Sequence, residues 1–129
     1  MNLVRIEWIC GIVLLLAATV VCLVPAYELP GTFELNDKVF HMIGHGALAT
    51  YFTGLVPRRG WWKIFVFLMI FGAVIEVAQF SMHVGRNGDP RDLLANVIGV
   101  ALGLLAGLLG VSRWPQLVAW IFRRREPAQ

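Results

Sequence analysis

The chain reads as an all-α membrane protein: a four-transmembrane-helix bundle with a short amphipathic C-terminal tail. Three observations carry this reading. Apolar residues make up 58% of the 129, and mean hydropathy is +0.71, against about 45–50% apolar content in a soluble domain. The apolar residues come in blocks of about 17–20, the length that crosses a ~30 Å hydrocarbon core as a helix. Charged residues gather between the blocks and at the C-terminal end. The length suits one domain, residues 1–129.

The first block, residues 8–24, is uncharged and stops at Pro25. Its Val24-Pro25-Ala26 end could also pass for a signal-cleavage site. An uncleaved first helix pairs better with the pattern that follows. The block holds both cysteines, Cys10 and Cys22. Twelve residues of helix set them ~18 Å apart, too far for a disulfide. An acidic loop with Glu28, Glu34 and Asp37 leads to the second block, residues 39–56. Pro57, Arg58, Arg59, Trp61, Trp62 and Lys63 then form a basic, aromatic anchor of the kind found at membrane interfaces. The third block covers residues 64–81 and the fourth residues 92–111. In the basic tail, residues 113–129, the spacing of Trp114, Leu117, Val118, Ile121 and Phe122 suits an interfacial helix.

Cations set the orientation. Arg5, Arg58, Arg59, Lys63, Arg113, Arg123, Arg124 and Arg125 lie on one side, and Lys38, Arg86 and Arg91 on the other. The more basic side faces the cytoplasm, so both termini are expected inside a bacterial inner membrane. The formal charge of +3 is therefore an orientation signal, and no nucleic-acid partner is expected.

The polar residues within and beside the apolar blocks then converge on the outer side. Asp37, Lys38 and His41 open block two, Glu76 and Gln79 close block three, and Arg86, Asp89, Arg91, Asp92 and Asn96 lead into block four. A carboxylate in a membrane span is costly and marks a functional site by default. Asp37, His41 and His45 recur every four residues and share a helical stripe. Asp92, Asn96, Gly99, Gly103 and Gly107 share another. That ladder of small residues permits close helix packing, so the polar face of block four should point inward. Plainer roles exist for each group. Glu76 can pair with Lys38, Arg86 or Arg91, Asp92 can cap a helix, and His45 between glycines reads as a packing residue.

Recognised chemical motifs are few. No catalytic serine or cysteine set, glycine-rich phosphate loop or metal-ligand spacing is present beyond the pair His41 and His45. No metal and no cofactor is expected. Catalysis, if any, would fall to Glu76 with His41 or Asp92.

The order Asp37-Lys38-x-x-His41, Glu76-x-x-Gln79, Arg86, Asp89, Asp92-x-x-x-Asn96-x-x-Gly99 resembles the VanZ-like family over residues 10–110. Before its aspartate the family often has a small or polar run, where this chain has Asn87-Gly88-Asp89-Pro90-Arg91. The resemblance implies an integral membrane protein of the bacterial envelope. The name-giving member is linked to low-level tolerance of teicoplanin, a lipid-tailed glycopeptide. The leading expectation is a protein whose outer-leaflet cluster binds a lipid headgroup or lipid-linked envelope precursor. A membrane enzyme remodelling a lipid-linked glycan or phospholipid is the alternative. A structural module that binds another membrane protein is the third.

Overall fold

The computed structural model describes residues 2–24, 33–82 and 90–123. Every regular element among them is helical: α1 (Leu3–Leu23), α2 (Phe33–Leu55), α3 (Trp61–Met82), α4 (Pro90–Leu108) and α5 (Trp114–Arg123). Local chemistry sets several ends. The Asn2 side chain accepts from the Val4 amide at 3.2 Å, capping α1. The helix stops at Val24, which turns extended (φ −60°, ψ 129°), as a residue before proline is driven to do. A short 3-10 turn, Arg58–Gly60, joins α2 to α3 after Pro57. Gly110 takes φ +109°, a left-handed conformation that closes helices and that other residues resist. A second 3-10 turn, Val111–Arg113, then leads into α5.

The second helix is the hub. It packs along α4 most extensively and also touches α1, α3 and α5. Glycines make the α2–α4 seam close. A Cβ built on Gly103 would lie 2.6 Å from the Ala49 Cβ and 3.0 Å from the Thr50 nitrogen. The apolar core lies between α2, α3 and α4: Leu48, Ala49, Phe52, Trp61, Ile64, Leu68 and Val100.

The outward face is apolar as well. Ile12, Leu16, Val20, Ile70, Val74, Val77, Leu94 and Leu102 are all exposed. A helix apolar on every side, as α1 is, belongs in a core or a membrane, and α1 is not in the core. Three helical stretches are long and apolar enough to cross a membrane: Leu3–Leu23, Arg58–Met82 and Arg91–Leu108. The second helix has the length, at 23 residues. It begins at Phe33, six residues before the first residue expected of that span, and so takes Glu34, Asp37 and Lys38 into the helix. With Lys38, His41 and His45 in its apolar stretch, it is less apolar than the other long helices, and composition identifies three spans among the described residues where four were expected.

Candidate functional site

The starts of α2 and α4 lie beside the end of α3, and this arrangement gathers titratable groups from three helices. His41 is at the centre, 2% exposed. Its Nδ1 lies 3.2 Å from the Asn96 Oδ1 on α4. The carboxamide oxygen only accepts, so Nδ1 donates. The opposite nitrogen, Nε2, lies 3.9 Å from Asp37 Oδ1 on its own helix and 3.8 Å from Glu76 Oε1 on α3. Both separations exceed hydrogen-bond range, and Nε2 makes no hydrogen bond among the described residues.

Asp92 is buried, 4% exposed. The sequence admits it as the cap of α4, but that helix starts at Pro90. Asp92 is thus the third helical residue, within the first turn where the helix dipole favours an anion. Lys38 Nζ reaches its Oδ1 at 3.3 Å while remaining 43% exposed at its side chain. One donor atom each from Asp37, His41 and Asp92 falls within 4.8 Å of the others.

The remaining expected residues divide. Gln79 is buried and donates from Nε2 to the Cys22 carbonyl at 2.7 Å, tying the end of α3 to the end of α1. Arg91 is exposed at the start of α4. With Lys38 it stands at a groove of ≈430 Å³ whose other walls are Val39, Met42, Leu94, Ala95 and Ile98. Arg86 and Asp89 lie outside the described residues. Gly99, Gly103 and Gly107 all turn toward α2, against Met42, Gly46 and Thr53. That face is filled from within the chain.

One residue that the sequence reads as packing alone lies against the cluster. His45 is 4% exposed, and its Nδ1 donates to the His41 carbonyl at 3.1 Å. Its Nε2 and the Asn96 Nδ2 make no hydrogen bond among the described residues. Both abut Gly72: a Cβ there would lie 2.9 Å from the one and 2.5 Å from the other. The signal was present in the four-residue step from His41, but its glycine neighbours suggested packing alone.

A second groove, ≈540 Å³, runs between α1 and α2. Leu14, Ala18, Val21, Ile43 and Gly44 line it, and Asp37 and His41 stand at one end. Both grooves therefore run from the titratable cluster along apolar helix faces.

The model of the VanZ/LLP1 family matches residues 2–110. The chain belongs to this family. The matched span takes in every described member of the cluster and stops at Gly110, leaving α5 beyond it. None of the curated proteins and none of the solved structures compared with the chain matches it. Membership thus agrees with the apolar helices on a multi-pass membrane protein.

Proposed function

We propose that this VanZ/LLP1-family protein binds an anionic amphiphile, a lipid headgroup or a lipid-linked envelope precursor, at the outer leaflet of the bacterial inner membrane. In this reading α2 is the fourth span and both termini are cytoplasmic, in keeping with the distribution of cations. The carrying observation is the groove between α2 and α4. Two cationic side chains, Lys38 and Arg91, stand at it, and its remaining walls are apolar. A phosphate or carboxylate suits the cations, and an acyl chain suits the walls. Asp92 holds Lys38 at 3.3 Å, while Asn96 sets the ring of His41. Sequestering a lipid-linked precursor would also give tolerance to a lipid-tailed glycopeptide such as teicoplanin.

The test is native mass spectrometry of protein extracted with its lipids. Wild type should retain anionic lipid over zwitterionic lipid by at least ~10-fold, and Arg91→Gln with Lys38→Gln should abolish that preference. An unaltered preference in the double variant would sink the proposal.

The approach of Glu76 to His41 at 3.8 Å favours one further reading, a membrane enzyme with Glu76 as base. Long contacts of this kind often tighten when substrate binds. Headgroup turnover by purified protein, lost in Glu76→Gln, would establish it. Absence of turnover on phospholipids and on lipid-linked glycans would remove it.

A further inference from the structure

The Nε2 atom of His41 poses a problem that the lipid reading does not address. Because Nδ1 donates to Asn96, a neutral ring presents a lone pair at Nε2. That lone pair faces carboxylate oxygens at 3.8 and 3.9 Å, and like partial charges in a buried site repel. A cation bound between these atoms would satisfy the lone pair and the carboxylates together.

We infer that Asp37, His41, Glu76 and Asp92 form a binding site for a divalent transition ion of the zinc or manganese class. Two donor atoms bound to one metal at ~2.0–2.2 Å stand ~3–4 Å apart, which is the spacing found around Nε2. Three donor atoms from Asp37, His41 and Asp92 already lie within 4.8 Å of one another. Asn96 supplies the outer partner that metal-bound histidines ordinarily have, an acceptor on the opposite ring nitrogen that fixes tautomer and orientation. An imidazole together with carboxylates selects zinc or manganese over magnesium, which takes oxygen ligands. Only Asp37 and His41 share a short spacing in the sequence; the other ligands come from two further helices. The inference stands apart from lipid binding.

The experiment uses the full chain, purified in detergent, stripped with EDTA, and dialysed against Zn²⁺, Mn²⁺ or Mg²⁺ in turn. Metal content is read by mass spectrometry of the elements, and thermal stability is followed in parallel. About one Zn²⁺ or Mn²⁺ per chain, a raised Tm, and loss of both in Asp37→Asn and in His41→Gln support the site. Asp37 is only partly buried, so Asp37→Asn should fold even where His41→Gln does not. The Cys10→Ser, Cys22→Ser double variant should bind as wild type does. The inference is overturned if wild type takes up neither ion in stoichiometric amount. It is also overturned if Asp37→Asn binds as wild type does, or if removing the cysteines removes the metal.

Discussion

Where α2 and α4 end, polar side chains donate to the main chain. The Tyr51 hydroxyl donates to the Glu7 carbonyl at 2.6 Å, Trp61 Nε1 to Val56 at 3.0 Å, and Trp114 Nε1 to Tyr51 at 3.1 Å. Thr53 and Ser112 donate to carbonyls in the same region. Where α2 and α4 begin, Asp37, Lys38, His41, Glu76, Asp92 and Asn96 face one another instead, and His41 Nε2, His45 Nε2 and Asn96 Nδ2 lack hydrogen bonds among the described residues. Hydrogen bonds to main-chain carbonyls satisfy the side-chain donors at that end. Buried polar atoms without partners are costly, and a protein retains them where something else is to be held. The first end has its donors satisfied by the main chain, and the second is the end to which the lipid and metal proposals are directed.

The sharpest way to break this division is to disturb the seam both ends share. Gly103→Leu would drive a side chain into Ala49 and Thr50. It should cost at least ~1–3 kcal/mol, the usual range for overpacking, and thermal unfolding in detergent should show the largest loss of any variant proposed here. Lipid retention should fall with it. A variant of normal stability would mean that α2 and α4 are held by something other than close packing.

The two ends should then come apart in single variants. Glu76→Gln keeps the shape of its side chain and removes its charge. It should leave the Tm of the metal-free protein within a few degrees while weakening Zn²⁺ or Mn²⁺ uptake by about 10-fold, the change that ~1.4 kcal/mol produces. Trp114→Phe should do the reverse. It loses the hydrogen bond to Tyr51 and keeps a ring stacked on Tyr51 with centroids 4.8 Å apart. A lost hydrogen bond of this kind costs ~0.5–1.5 kcal/mol, so stability should drop slightly and binding should not move. Matching losses of stability and binding in both variants would erase the distinction.

The first end was the less legible in the sequence. Apolar blocks gave four of the five helices to within a few residues at most ends, because membrane length and hydropathy are local properties. The chief exception was α2, whose start at Phe33 was hidden by the acidic residues it carries. Tyr51 and Trp114 gave no sign of their pairing across 63 residues, since an aromatic residue near a membrane interface needs no partner to account for it. Asp37, His41, Glu76 and Asn96 stood out, because polar groups are rare in apolar segments and must be compensated. Their distances could not be read, nor could the turn of Gln79 toward Cys22. The distances depend on how α2, α3 and α4 sit against one another, and the turn of Gln79 on how α1 meets α3.

The smallest expected effect separates the two grooves. Gly44 lines the one between α1 and α2, and a Cβ added there meets nothing within 4 Å. Gly44→Ala should be neutral or stabilising by up to about 0.5–1 kcal/mol, the amount by which alanine exceeds glycine within a helix. Gly44→Phe would then fill this groove without disturbing the groove that has Lys38 and Arg91 at its edge. If the acyl chain lies between α2 and α4, Gly44→Phe keeps its anionic lipid in native mass spectrometry. If that variant folds and loses its lipid, the chain lies between α1 and α2. The headgroup would then meet Asp37 and His41 rather than the two cations, and an anion there would need the charge of a bound metal ion.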